Sequence, residues 1–357
     1  MKQLISLLRN MDYCRIRRFP LRKYSPSLSL VLNELDNVAR FIFNGNNIFA
    51  VSIEPSLYVK ISSNNKLKFL REAFFLNMDL SSDLWERFFA KDLLCFWEEE
   101  GLLCANTDNR KHFNYRIVPY DNLYLVTSRF DRDDRDFTYL SHDSICFASF
   151  LKKRLSDLSF FGNSALDLCC GTGIQALAIS PFSRQITGVD INGKAIELAK
   201  LNAILNGVSN CNFIKSSFFE KINMQFDLIV CNPPYIHIKG GGTAMIDSNG
   251  GEPFGLGATV KILSELERYL SDKGLAFIIT RSPKIKGEDY LFSNLKKYVP
   301  PGLGCDYYYI ADSINKITPA EKTESISGYR NVILEVSRKD SNKFVNYSTF
   351  YRNTRAF

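Results

Sequence analysis

Apolar residues along this chain of 357 follow two rhythms. Between 65 and 100 they recur at helical spacing, which predicts three short helices. The first covers 65–76. The second runs through Trp85, Phe88 and Phe89, with Ser81 or Ser82 in the capping position. The third covers 93–100, with Trp97 on its apolar side and Gly101 as its stop. Two strand-like runs follow, 113–119 and 123–127. From about 140 onward, short apolar runs alternate with helical stretches. A helix begins near Asp143, and the runs at 165–168, 186–191, 213–215, 226–231, 274–280, 307–310 and 331–336 read as strands. Between them, Ala195, Leu198, Ala199, Asn202 and Leu205 mark one helix, and 260–270 another. The chain therefore divides near residue 130, into a small domain over 1–130, a larger domain over 131–340 and a basic tail over 341–357. Aspartates and arginines interleave over 131–136, as in a solvated linker.

Within the larger domain, Asn232-Pro233-Pro234-Tyr235 closes the apolar run 226–231. The Asn232 side-chain carbonyl and the Pro233 backbone carbonyl can each accept a hydrogen bond from a planar group bearing an NH2. Tyr235 offers a face on which that group can stack. Alone, the string could also be a turn. The residues upstream decide against a bare turn. A strand ending in Asp167 leads through Cys169, Cys170, Gly171, Thr172 and Gly173 into a helix, so backbone can approach a ligand closely there. About twenty residues on, a second strand ends in Asp190, the spacing expected for a carboxylate on ribose hydroxyls.

Gly171-x-Gly173-x-x-Ala176 also satisfies the loose dinucleotide fingerprint. S-adenosyl-L-methionine (SAM) fits better. Asp167 can meet a cofactor's ammonium group, directly or through water, whereas it would repel a pyrophosphate. A dinucleotide domain has no use for the clamp at 232–235 either.

On these residues, 141–339 resembles a class I SAM-dependent methyltransferase of the "methyltransferase small" group, which includes ribosomal-RNA guanine N2-methyltransferases and release-factor glutamine methyltransferases. The resemblance implies an α/β fold, a seven-stranded Rossmann-like sheet with helices on both faces, its last two strands a reversed hairpin. It implies that Asp167, Cys169, Gly171 and Gly173 surround the methionine end of SAM, with Asp190 on the ribose and Ile191 against the adenine. Asn232, Pro233 and Tyr235 would hold the acceptor nitrogen, with Asn232 also at the edge of the cofactor site. Two departures stand out. Cys169 replaces the first glycine of the usual Asp-x-Gly-x-Gly-x-Gly, and Ser216 and Ser217 stand where an acid normally follows the third strand. Adenine would then be read by a serine hydroxyl or a backbone N–H. In related enzymes the segment near Asp143–Ser149 folds over the cofactor. The three helices and hairpin of 1–130 look like a winged helix, which would serve substrate recognition; Trp85, Trp97 and the phenylalanines are its core, and the 110–112 tip is placed to reach a phosphate.

Composition adds limits. Hydrophobic residues make up 45% and charged residues 23%, a globular balance. No apolar run approaches a membrane span. Nine cysteines without a Cys-x-x-Cys pair argue against a disulfide scaffold, and His112, His142 and His237 are too few and too scattered for a zinc site. A cytoplasmic enzyme without a metal follows. The net charge is +7, concentrated at Arg15, Arg17, Arg18, Arg22 and Lys23 and again at Arg338, Lys339, Lys343, Arg352 and Arg355. A phosphate-contacting surface and plain solvated segments explain these clusters equally, and an organellar transit segment is a third reading of the first thirty residues. The glycine-dense stretch 239–257, directly after the clamp, reads as a mobile lid or acceptor-binding loop.

The acceptor stays open at this point. The basic balance, the wing-like domain and Tyr235 favour an exocyclic base amine in RNA, ribosomal or transfer. A protein glutamine or asparagine amide is the alternative, since the same clamp accepts it and the stretch after Glu252 points that way. A small-molecule amine, or a SAM-binding regulator without catalysis, is weaker still.

Overall fold

The computed structural model describes residues 1–11, 13, 65–129, 138, 140–237, 249–313, 326–338 and 344–346. The basic cluster at 15–23, the charge run 131–136, the glycines at 240–242 and Lys339, Lys343, Arg352 and Arg355 lie outside the described residues.

The small domain contains α1 (Lys2–Asn10), α2 (Asn65–Leu70) with a π-helical continuation Arg71–Phe75, β1 (Leu80–Ser81), α3 (Ser82–Phe88), α4 (Lys91–Glu99), β2 (Leu103–Ala105) and β3 (Arg110–Phe113). Its three strands are antiparallel in the order β1-β3-β2. Phe74 is its hub, meeting Trp85, Phe89, Trp97 and Phe113 edge-on at 5.1–6.4 Å between ring centroids. Each such ring removes roughly 150–250 Å² from water and dominates the local energetics. Gly101 ends α4 in the left-handed region, as expected. Ser81 occupies the cap position of α3 but makes no side-chain cap bond, while Ser82 Oγ instead lies 3.0 Å from the carbonyl and from Oδ1 of Asn109.

Beside the expected hairpin stands one that the apolar pattern did not announce. It is β2–β3, turned by Asn106, whose Oδ1 accepts from the Asp108 and Arg110 backbone N–H groups at 3.0 Å. Leu-Cys-Ala and Arg-Lys-His-Phe carry too little apolar pattern to announce strands. The anticipated pair, β4 (Tyr115–Tyr120) and β5 (Leu123–Ser128), forms its own two-stranded sheet. The 110–112 segment lies on β3, with Lys111 paired to Glu98 and His112 Nδ1 bonded to Asp79 at 2.8 Å.

In the larger domain come α5 (His142–Asp157), β6 (Gly162–Leu168), α6 (Ile174–Ile179), β7 (Ser183–Asp190), α7 (Gly193–Leu205), β8 (Cys211–Lys215), β9 (Phe226–Cys231), α8 (Gly257–Tyr269) and β10 (Leu270–Ile285). They are followed by β11 (Glu288–Asp289), α9 (Tyr290–Ser293), α10 (Leu295–Tyr298), β12 (Gly304–Ser313), β13 (Ile326–Ser337) and β14 (Phe344–Asn346). Seven strands in the order β8-β7-β6-β9-β10-β13-β12 make the body of the sheet, as expected. The first five of these are parallel, and β13 runs antiparallel to both neighbours. β14 and β11 extend this sheet to nine strands, beyond the seven anticipated.

Strand periodicity sorts the core into two layers. Ala165, Leu228, Val230, Phe277 and Ile279 face α5, α6 and α7, while Leu166, Ile229, Cys231, Ala276 and Ile278 face α8, α9 and α10. α7 is buried on a second side as well, since Leu198 and Leu205 join the core of the small domain. Two asparagines finish that contact. Asn202 bonds both backbone groups of Val126, and Asn206 both of Tyr124, at 2.8–2.9 Å. Four helical residues rise about 6 Å and two strand residues about 6.8 Å, so side chains four apart on α7 meet residues two apart on β5.

Candidate active site

The carboxyl ends of β6, β7, β8 and β9 open into one cavity of about 500 Å³. It lies where the strand order reverses between β6 and β9, the usual place for a ligand in an open α/β sheet, and its size is that of a small-molecule site. Cys169 and Gly171 line it from the loop after β6, Asp190 and Ile191 from the end of β7, Ser216 to Phe218 from the loop after β8, and Asn232 to Ile236 from the loop after β9. Two motifs some sixty positions apart in the sequence thus share one chamber.

Asp190 anchors one end. Its Oδ2 accepts the Gly171 N–H and its Oδ1 the Asn192 N–H, both at 2.9 Å. Enclosure pushes its pKa up, against the pull of those backbone donors. Gly171 has a left-handed backbone, and a Cβ on it would project into open space, so the bare backbone leaves room for a ligand. Ile191 is 53% exposed beside it, an apolar face with no protein covering it. Cys169, in the left-handed region where the family has glycine, faces the cavity too. Cys170 is buried, and the eight described cysteines are all free.

Two expected residues stand behind the wall rather than on it. Asp167 is fully buried; its Oδ2 accepts the Ala176 N–H at 2.9 Å, and its Oδ1 has no partner among the described residues. Burial drives its pKa well above the carboxylate range, and the Asp190 charge adds to that. Gly173 packs against α7, where a Cβ would stand 3.1 Å from Ala199 Cβ. Ser216 Oγ is taken by the turn, accepting the Lys221 N–H at 3.2 Å, which leaves Ser217 as the freer hydroxyl.

At the other end, Asn232 is half-buried and Pro233 buried. Asn232 Nδ2 donates to Ser144 Oγ at 3.0 Å. The stretch 249–257 is not a free loop: Gly250 N–H donates to the Ile236 carbonyl at 2.9 Å, and a Cβ on Gly255 would come within 2.5 Å of the Tyr235 carbonyl. Backbone packed on backbone leaves no space for a side chain at these positions, which is why glycine is dense here. Thr138, Ser141, Ser144 and Gln175 also line the chamber, as do Phe218 and Lys261, whose ammonium sits 5.1 Å from the Phe218 ring. None of these was singled out from sequence. Ser141, two positions before the helix start expected near Asp143, is a residue type that caps helices, and that is the one signal that could have found it.

The donor set suits SAM. A buried carboxylate with an unused oxygen, a second carboxylate and an open glycine backbone match a cationic ligand with ribose hydroxyls.

A family model of the methyltransferase small domain matches residues 140–248. A protein of Methanocaldococcus jannaschii, provisionally named a protein N5-glutamine methyltransferase, is 35% identical over 153 residues, which is 41% of this chain and 74% of that protein. The chain belongs to the methyltransferase small-domain family. Members of this family use S-adenosyl-L-methionine. A release factor glutamine methyltransferase of Fusobacterium nucleatum is 41% identical over 32% of this chain and 36% of its own length. One from Buchnera aphidicola is 36% identical over 36% of this chain and 50% of its own length. The chain therefore spans a third to a half of these two relatives. Among solved structures, a ribosomal protein L11 methylase from Lactobacillus delbrueckii subsp. bulgaricus is similar over 63% of this chain and all of its own, at 16% identity and a TM-score of 0.40. A likeness of that strength decides nothing about the acceptor. No helix of the described residues is long and apolar enough to cross a membrane.

Proposed function

We propose that this chain is a SAM-dependent N-methyltransferase whose acceptor is the side-chain amide of a protein glutamine. The observation that carries the reading is the single cavity that unites Asp190 and Gly171 with Asn232 and Pro233. Asp190 would hold the ribose, Ile191 and Phe218 the adenine, and Ser217 its edge; Gly171 and Cys169 would border the methionine end, with Asp167 acting from behind. SAM supplies an electrophilic methyl on a sulfonium.

An amide nitrogen is a poor nucleophile because its lone pair is delocalised into the carbonyl. Asn232 Oδ1 and the Pro233 carbonyl would take its two N–H bonds, turn the lone pair toward the methyl and stabilise the charge that grows on nitrogen. Tyr235 would pack on the flat amide. The methylated nitrogen is acidic enough to lose its extra proton to water, so no general base is needed.

The choice of a protein amide reverses the order expected from sequence. It is supported by relatives named as glutamine methyltransferases at 35–41% identity. The charged residues on the described wall, Asp190, Glu252 and Lys261, do not make a phosphate channel. An RNA base amine is the second reading, favoured by the net charge of +7 and by Tyr235. Residues 1–130 are read as the acceptor-recognition unit; a helix, a short strand, two helices and a hairpin in that order support a winged-helix-like docking module. Residues 131–340 are the catalytic unit.

The test is labelled methyl transfer from SAM into lysate of a strain lacking this gene. Label should resist nuclease, be released by protease, and leave as volatile methylamine on acid hydrolysis, because hydrolysis of an N-methyl amide frees the amine. Loss of label to nuclease overturns the protein reading in favour of RNA.

A further inference from the structure

Asn232 is held by a residue 88 positions away. Its amide nitrogen donates to Ser144 Oγ, and Ser144 Oγ lies 2.8 Å from Ser141 Oγ. Ser141 Oγ already accepts the Ser144 backbone N–H at 3.2 Å, as the cap of α5. Gln175 Nε2, buried in the first turn of α6, donates to the Ser144 carbonyl at 3.0 Å. All four residues line the cavity.

We propose that Ser144 is a positioning residue that decides which end of the Asn232 amide faces the acceptor. This rests on the reading of Asn232 as the acceptor clamp. An amide side chain has one accepting end and one donating end, and a half-turn about its last bond exchanges them. With the nitrogen on Ser144, the oxygen is the end left for the acceptor's N–H. Ser144 Oγ can accept from Asn232 while donating its own proton to Ser141 Oγ, 2.8 Å away. The chain therefore runs from Asn232 through Ser144 to Ser141, each proton used once. Run the other way, Ser144 would donate to the amide oxygen, and Asn232 would turn its NH2 against the N–H of the acceptor. Two donors would then face each other at a half-buried position, which is costly. The cap and Gln175 fix Ser144 on α5, and Gln175 belongs to the helix that follows the cofactor loop, so the clamp is set from the cofactor side of the chamber.

The test uses the full-length ¹⁵N-labelled protein with SAM bound. The Asn232 side-chain NH2 signal is assigned by its loss in Asn232→Asp, and its hydrogen exchange is followed by NMR. Ser144→Ala should exchange that NH2 about tenfold faster and lose about tenfold in kcat for methyl transfer. The dissociation constant for SAM should stay within about twofold. Ser144→Thr, which keeps the hydroxyl, should restore both exchange and kcat. Unchanged exchange and kcat in Ser144→Ala would overturn the proposal. So would a Thr variant no better than Ala with SAM affinity and thermal stability falling together, the pattern of a purely structural serine. If the amide is protected in wild type and released in Ser144→Ala, yet no protein takes up methyl, the positioning bond stands and the proposed acceptor falls.

Discussion

The two ends of the cavity are assembled on opposite plans. At the cofactor end, Asp190 bonds Gly171 and Asn192, residues 19 and 2 positions away, all within one strand–helix–strand unit. At the acceptor end, Asn232 is oriented by Ser144 from 88 positions away, and the backbone of 235–237 is backed by Gly250 and Gly255 from later in the chain. The first end is complete once a local unit folds. The second exists only when α5, the loop after β9 and the start of α8 have all come together. Binding and transfer should therefore separate under mutation.

The largest effect is expected at Asn232. Asn232→Ala should lower methyl transfer on the order of 10²-fold, the usual loss when one polar group facing a developing charge is removed. SAM affinity should barely move. Equal loss of binding and transfer would erase the distinction between the two ends. Asp190→Ala should do the reverse, weakening SAM binding by roughly 10- to 100-fold, as for loss of a charged hydrogen-bond partner. Titration calorimetry measures this directly, and an unchanged affinity would remove Asp190 from the cofactor site.

The smallest effect concerns stability. The folded pKa of Asp167 is raised, chiefly by burial and also by the Asp190 charge. The fold thus keeps a proton that the unfolded chain gives up near its ordinary value of about 3.9. The stabilisation from this group is complete below that value and is lost as pH rises through the folded pKa. Asp167→Asn in SAM-free protein should therefore gain thermal stability over wild type as pH rises from about 4 upward. Parallel melting curves for the two proteins across that range would show that Asp167 does not carry this strain.

Much of the cofactor end was legible because its residues are contiguous and their order is their geometry. Strand, acid, glycine turn, helix, strand, acid is a string that can fold in few ways, and the seven-strand body, α7 and the ends of β6 and β7 appear where the apolar pattern put them. What misled was weak pattern. β2 and β3 are short and polar, so their hairpin went unnoticed, while that of the more apolar β4 and β5 was legible. Glycine density at 249–257 suggested mobility, whereas these glycines serve close backbone packing against 235–237. Asp167 and Gly173 matched the motif by letter but sit one layer behind the wall, since a motif gives order along the chain and not depth.

By itself the sequence determined the strand–helix alternation, the two carboxylates at strand ends and the Asn232–Tyr235 string at the close of β9, because each follows from spacing over a few residues. Only the tertiary structure decided that Ser144 and Gln175 orient the clamp, that Phe218 and Lys261 border the same chamber, and that Asn202 and Asn206 tie α7 to β5. These contacts join residues 31 to 88 positions apart in the chain, and polar side chains of that kind carry no periodic signal until a partner is brought within hydrogen-bonding distance.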